Sequence, residues 1–424
     1  MPDQLAVPLS PAHRLLAWVD EVAPGMVFGP RFVCLGGYRL TGPLDVPVLR
    51  GALDRLVVRH EALRTVIAGD GPAPRPRVTP PAPVPLVEVP PDALVDTLVA
   101  GAYPPGSVPP LWAYLARHGD ADATLVLVAQ HTVADPWSMR ILIADLLRGY
   151  ADRLVGRNEG QNQAGTPPGR HQVPATRDGN DEQRTRRLTD HWRQVLTEVR
   201  PLPPDTAAPG GAPRHAETRF PLSITDQRLR AAARTRRTTP FVLLLSGFIG
   251  ALAAYTGATD LTVPVLTYGR GRSDWETVGL FMNALPVRVD LSGDPTPGET
   301  LHRVRVAFTT AFAREVPLAD LVSRLPEAAR LFAPDGPASA QFEVIQLPPT
   351  PPSGPLACRP IRLPAGLPLG GPVIPVNGLA VWLEQGPEGG YSGTVRYRAD
   401  LFSQPTVERL VTGYADRLER LVGP

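Results

Sequence analysis

Lysine is absent from this chain, so all 43 of its Lys and Arg residues are arginine. With abundant Ala, Gly and Pro, this points to a GC-rich coding sequence, which concerns source and not mechanism. Cysteine is nearly absent as well. Cys34 and Cys358 lie far apart, which excludes a disulfide framework and paired-cysteine zinc spacing and fits a reducing compartment. No excess of one charge exists: the formal net charge is +2. A basic stripe with interleaved aromatics is missing, so nucleic acid is not an expected partner. The densest basic cluster, "RLRAAARTRR" (228–237), reads as a solvated helix face. No charged-then-apolar leader opens the chain, so a signal peptide is not expected and a cytoplasmic location is. Several catalytic signatures are missing too: G-x-S-x-G, H-E-x-x-H and the Walker loop. "YGRGRSDWETVG" sets Gly269 and Gly271 between arginines, but G-x-G-x-x-G is not completed at a strand-to-helix junction. No bound cofactor and no metal are expected.

What is present suits a large globular chain. Its 424 residues are too many for one ordinary core and comfortable for two. Hydrophobic content of 43% and charged content of 20% are globular values. Proline is in excess, 52 residues or about 12% against a usual ~5%, and it gathers in connecting stretches such as "PPAPVPLVEVPP" and "LPPTPPSGP". One uncharged stretch, Thr238 to Thr259, has about the length of a membrane span. Ser246, Gly247 and Gly250 dilute it, no second span exists, and Thr238-Thr239-Pro240 is a good helix start. It is expected to be the buried central helix of a soluble core, with no membrane as partner.

Along the chain, "VPVLRGALDRLVVRHEALRTVI" carries Leu49, Leu53, Leu56 and Val57 at helical spacing. "ATLVLVAQ" (123–130) is a continuous apolar run, typical of a buried strand. A helix "WSMRILIADLLRGYADRL" follows. Gly156 to Arg184 contains almost no apolar residue and reads as a boundary. The expected division is an N-terminal lobe over 1–160, a mobile linker over 161–184 and a C-terminal lobe over 185–424. The second half mixes a buried helix over 240–256, the strands "LTVPVLTYG", "NALPVRVDL", "SAQFEVIQL", "GLAVWLEQ" and "YSGTVRYRADLF", and a last helix "QPTVERLVTGYADRLERLV". The fold class is therefore α/β (α+β), in two lobes with a cleft, the usual place for a ligand.

"LVAQHTVADPWSM" (127–139) is where chemistry fits. His131 follows the buried strand, and a neutral imidazole there is a plausible general base near neutral pH. Asp135 and Pro136 are a good N-cap and first helical residue, so Asp135 has a structural task available without any catalysis. Spacing alone favours the structural reading of one His near one Asp.

The same segment resembles the HHxxxDG motif of nonribosomal peptide synthetase condensation domains, here Gln130-His131-Thr132-Val133-Ala134-Asp135-Pro136. Similarity continues in order along nearly the whole chain. "LSPAHRLLAW" is similar to the family's opening block, "GPLDVPVLRGALDRLVVRHEALRTV" to its second, and "VPVLTYGRGRSDWETVGLFMNALPVRVDLSGDPTPGETL" to the block with Gly-Arg and Gly-x-Phe-x-Asn. "FEVIQL" and "VRYRADLFSQPTVERLV" resemble the last blocks. The resemblance implies two chloramphenicol-acetyltransferase-like lobes in a V shape with a substrate tunnel between them. Acyl or peptidyl carrier proteins would dock at its mouths and deliver thioesters on phosphopantetheine arms. His131 would then be the catalytic residue, steering the proton of an attacking amine or alcohol, and Asp135 would pair with Arg270 to fix the loop. Gln130, Thr132, Pro136, Trp137, Ser138, Asn283 and Gln346 are the candidates for lining the substrate path.

Two departures stand out. Gln130 replaces the motif's first histidine, where a hydrogen-bonding amide can substitute. Pro136 replaces its glycine and removes a backbone N–H. If that N–H held the acyl carbonyl, ~2.7–4 kcal/mol of oxyanion stabilisation would be lost. Ser138 or Thr132 could supply a replacement donor. "LGGYRL" (35–40) superficially resembles a carrier-protein motif, but Arg39 holds the serine position. The expected function is an acyltransferase joining a carrier-bound acyl thioester to an amine or alcohol in natural-product biosynthesis. A transferase using coenzyme A as donor is a variant of it. The alternative is a catalytically impaired, condensation-like module that recruits a carrier or an enzyme.

Overall fold

The computed structural model describes residues 9–68, 75–156, 180–205, 213–345, 355–364, 367–372, 374–386 and 389–423. In chain order the elements begin with α1 (Pro11–Val22), β1 (Val33–Thr41), α2 (Val46–Arg59), β2 (Thr65–Ala68), β3 (Arg75–Val78) and β4 (Leu86–Val89). Then come α3 (Leu94–Ala100), β5 (Leu111–Gly119), β6 (Asp122–Gln130), α4 (Pro136–Leu154), α5 (Asn180–Leu196), β7 (His215–Thr225) and α6 (Asp226–Thr235). The chain continues through α7 (Pro240–Thr256), β8 (Asp260–Thr267), β9 (Asn283–Asp290), α8 (Pro297–Ala313), α9 (Leu318–Arg324), α10 (Pro326–Phe332) and β10 (Ala340–Ile345). It ends with β11 (Ala357–Ile361), β12 (Leu379–Gln385), β13 (Gly390–Arg398) and α11 (Gln404–Val422).

Contacts divide these elements into two compact units. The first takes in residues 1–177, 268–282 and 347–373; the second 178–267, 283–346 and 374–424. The division is therefore not contiguous, as a reading along the chain takes it to be. Residues 268–282 leave the end of β8 and return as β9, and 347–373 bring β11 into the first unit's sheet. Of the expected linker, residues 180–184 already belong to α5; residues 161–179 lie outside the described residues.

In the first unit the strand order is β11-β1-β6-β5-β4, antiparallel except for β4 against β5. β6 has no polar alternation because both of its faces are covered. Leu125, Leu127 and Ala129 join the core beneath α2 and α4, with Leu53, Leu142 and Leu146. Val126 and Val128 point into a second cluster with Leu98, Tyr103 and Tyr114. Leu125, Val126, Leu127 and Val128 thus leave water entirely, each burial stabilising by roughly 1.5–3 kcal/mol.

The second unit carries the sheet β7-β13-β12-β10-β8-β9, in which β10 runs parallel to both its neighbours. Its central helix, α7, starts where Thr239 accepts from Val242 N, with Pro240 in the first turn, and stops at Gly257 in the left-handed region. Buried Phe248 stacks on Phe342 at 5.1 Å, and both meet Tyr414 of α11 edge-on. The uncharged stretch is thereby a core helix, as expected. No single helix among the described residues is long and apolar enough to cross a membrane.

Candidate active site

β6 delivers the site. Gln130 is its last paired residue, opposite Val33 of β1, and His131 N continues the ladder one step further to Phe32 O at 3.0 Å. A tight turn then leads to Asp135, whose Oδ1 accepts from Ser138 N at 2.7 Å and caps α4. Pro136 occupies the first helical turn, where a backbone N–H has no partner within the helix.

His131 is 9% exposed and stacks on Phe32, ring centroids 4.8 Å apart and 17° from parallel. Its Nδ1 lies 2.8 Å from Ala134 O. A carbonyl only accepts, so Nδ1 carries the proton. Burial pushes the imidazole pKa below the usual histidine value, outweighing the opposite pull of the adjacent backbone carbonyls and of Asp135. The ring is therefore neutral at pH 7 with its lone pair on Nε2, which meets no hydrogen-bonding group among the described residues.

The turn is fastened from three sides. Arg270 Nη2 reaches Asp135 Oδ1 at 2.8 Å and Oδ2 at 2.9 Å, both side chains 3% exposed or less. The same guanidinium donates to Asp274 O at 2.8 Å and Thr277 O at 2.6 Å, and lies 4.2 Å over the Phe281 ring. Phe281 N donates to Asp135 Oδ2 at 3.2 Å. Burying such a charge pair is tolerable because nearly every lone pair and proton around it is used.

Ser138 forms the second fastening. Its hydroxyl donates to Gly279 O at 2.8 Å and accepts from Gly279 N at 3.0 Å and Arg270 Nη2 at 2.9 Å. The hydroxyl's one proton is committed to Gly279, so Ser138 is not the replacement oxyanion donor. Thr132, the other candidate, has no partner for its hydroxyl among the described residues.

The third fastening was not visible in the sequence. Buried His13 of α1 donates from Nε2 to Thr132 O at 2.9 Å, while its Nδ1 lies 2.9 Å from Ser10 Oγ. Burial lowers the His13 pKa, so Nδ1 accepts from the Ser10 hydroxyl and the ring stays neutral. The only available signal was the Ser-Pro start of α1, which explains Ser10 as an N-cap and says nothing of a long-range partner.

The remaining expected residues separate. Gln130 is 1% exposed; its Nε2 donates to Tyr103 O, and its Oε1 is buried without a partner. Its amide therefore braces the Tyr103 segment. Trp137 donates from Nε1 to Trp275 O at 2.9 Å and packs edge-on against Tyr268, so it holds the 268–282 loop. Asn283 sits in the second unit with its amide fully engaged: Nδ2 donates to Glu315 Oε1 at 2.8 Å and Val316 O at 3.0 Å, and Oδ1 accepts from Leu318 N at 2.8 Å. It brackets the turn into α9. Gln346 lies outside the described residues. Among the described residues no His, Cys, Asp or Glu cluster could hold a metal ion.

A neutral imidazole ends a doubly covered strand in a turn held by a buried Asp–Arg pair, in a mixed α/β chain whose fold is chloramphenicol-acetyltransferase-like. A family profile described as "Condensation domain" matches residues 36–335, and this chain belongs to that family. The phosphinothricin tripeptide synthetase PhsC of Streptomyces viridochromogenes is 32% identical over 336 residues, 74% of this chain and 30% of that one. The isonitrile lipopeptide synthase of Mycobacterium tuberculosis is 29% identical over 446 residues, 96% of this chain and 17% of that one. The chain thus spans less than a third of the length of these relatives. Among solved structures, SgcC5 of Streptomyces globisporus is similar with a TM-score of 0.81 and 28% identity, over 98% of both chains. The X-domain from teicoplanin biosynthesis shares the fold at 24% identity and a TM-score of 0.74, over 100% of this chain and 96% of that one.

Proposed function

We propose that this chain is a condensation-type acyltransferase, joining an acyl group held as a carrier-protein thioester to an amine or alcohol. The observation that carries the reading is the His131 tautomer: Nδ1–H is tied to Ala134 O, leaving the Nε2 lone pair for the nucleophile's proton. Nε2 takes or steers that proton as the nucleophile adds to the thioester carbonyl. The imidazolium then returns it as the thiol leaves. Positioned proton transfer of this kind is worth about 10²–10⁴ in rate. Asp135 stabilises the transient positive ring at a distance; its own oxygens are occupied by Arg270, Ser138 N and Phe281 N. Its first task is to hold the turn. The phosphopantetheine belongs to the partner carriers, and the chain needs no cofactor of its own. A cytoplasmic location accompanies this reading.

A second reading is recruitment without turnover. Pro136 favours it, because it removes the N–H of the motif's glycine. An X-domain of the same fold is known in a complex with OxyB. One experiment separates the two. Acyl-loaded carrier and an amine acceptor are incubated with the wild-type chain and with His131→Ala. Product from the wild type at a rate at least about a hundredfold above the variant supports transfer. Equal rates overturn the role of His131, and absence of product from both, with tight carrier or enzyme binding, supports recruitment.

A further inference from the structure

The basic cluster of residues 228–237 is not one uniform solvated face. Two of its arginines are neutralised: Arg228 by Glu419 at 3.1 Å and Arg230 by Asp226 at 2.5 Å. The other three, Arg234, Arg236 and Arg237, are exposed and have no carboxylate partner among the described residues. A fourth cation joins them. Arg305 of α8 donates from Nη1 to Arg237 O at 3.0 Å and contacts His302 Nδ1 from Nη2 at 3.1 Å. The turn after α6 and the outer face of α8 thus form one cationic surface, and every group in it lies in the second unit.

Apolar surface adjoins it. Val306 and Phe312 of α8 are 50% and 55% exposed, among the few large hydrophobic residues left in water. On the far side of Val306 lies an open groove of about 490 Å³ between α5 and α8, with Val195, Ala307 and Thr310 among its walls. The groove's Arg303 is held by the carbonyl oxygens of Asp290 and Ser292, and Asp290 is the one carboxylate that lines it. A helix presenting apolar side chains beside unpaired cations is a surface for an oppositely charged amphipathic partner.

We propose that the exposed ridge of α8, with the arginines of residues 234–237, docks a carboxylate-rich amphipathic helix of a partner protein. Its acidic side would lie on Arg234, Arg236, Arg237 and Arg305 and its apolar side on Val306, with Phe312, on the Arg305 side of α8, at one end of the contact. Charge complementarity selects this occupant. Nucleic acid fits less well, because Phe312 is the one strongly exposed Phe, Tyr or Trp of this surface among the described residues, and stacking platforms need several. A lipid surface fits less well because an open groove, not a convex face, borders Val306. This inference is independent of the acyl-transfer reading, since none of these residues takes part in the site around His131.

The test uses the full chain and a synthetic helical peptide of about 18 residues, long enough to hold a helix. One face is Glu-rich and the other carries Leu; a control replaces every Glu with Gln. Binding is measured by anisotropy at low and at physiological salt. The expected result is saturable binding of the acidic peptide alone, weakened by salt. A variant with Arg234, Arg236 and Arg237 all changed to Ser should lose roughly tenfold in affinity and most of the salt dependence. Val306→Ser with Phe312→Ser should lose affinity and keep the salt dependence. Circular dichroism verifies that these surface variants stay folded. Equal binding of the Gln control, or undiminished binding by the arginine variant, would overturn the proposal. So would tighter binding of an oligo-dT strand or of phosphatidylglycerol vesicles through the same arginines.

Discussion

Asp135 and Arg270, separated by 135 residues of chain, meet through a single guanidinium nitrogen that lies within 2.9 Å of both carboxylate oxygens. That contact ties the turn after β6 to the loop over 268–282. Removing either partner leaves the other buried with an uncompensated charge. Asp135→Ala and Arg270→Ala should each destabilise the chain by about 3–5 kcal/mol, and the double variant by much less than their sum. Urea unfolding of the three variants measures this. Arg270→Lys should not rescue, because an ammonium cannot reach Asp135 Oδ1, Thr277 O and Asp274 O together.

Gly269 makes the same loop possible. It sits at φ +58°, and a Cβ there would stand 1.7 Å from Phe281 O. Gly269→Ala should therefore displace the loop and remove the aromatic packing around Trp137. The expected outcome is a loss of at least about 1–3 kcal/mol from strained backbone alone, read by urea unfolding, with a changed tryptophan fluorescence spectrum. Gly271→Ala, at φ −74°, carries no such backbone strain; its Cβ would come closest to the Asp274 carboxylate, at 3.2 Å, so its effect on both should be much smaller.

His13 holds the carbonyl of Thr132, the residue after His131. His13→Leu removes the donor to Thr132 O and should slow acyl transfer by about tenfold or more while leaving the acyl-carrier KM near its wild-type value. His13→Gln, whose amide can still donate to Thr132 O, should recover most of the rate. A stability loss equal in both variants, without that split in rate, would make His13 a core residue only.

Acid should weaken the fold through the same two rings. In the folded chain, His13 and His131 bind protons less readily than in the unfolded chain, because burial opposes the charged form. The unfolded state then holds more protons, and stability rises with pH. Their contribution is complete above the ordinary histidine value near 6.5 and is lost as pH falls through the lowered folded values. Asp400, held at about 2 by hydrogen bonding to Arg398, acts only far below that window. Melting temperatures taken from about pH 7.5 to pH 5 should fall, and His13→Asn with His131→Asn should flatten the fall.

Local chemistry made much of this site legible. A doubly buried strand, a histidine directly after it and an Asp-Pro helix start are all written within residues 123–136, and each depends on near neighbours. The Asp135–Arg270 pair came from family resemblance, since no local rule links positions so far apart. Two other features depend on folding back and were not legible: His13 reaching Thr132, and 268–282 leaving one unit's sheet to join the other unit. Asn283 and Trp137, which family resemblance makes candidates for the substrate path, have polar groups already engaged by Glu315, Val316, Leu318 and Trp275, partners that no local pattern announces.

The most direct test of the central claim is the ¹⁵N spectrum of His131 at pH 7, assigned by its loss in His131→Gln. The account predicts a neutral ring with the proton on Nδ1 and an unprotonated Nε2. A proton on Nε2, or an imidazolium at that pH, would contradict it.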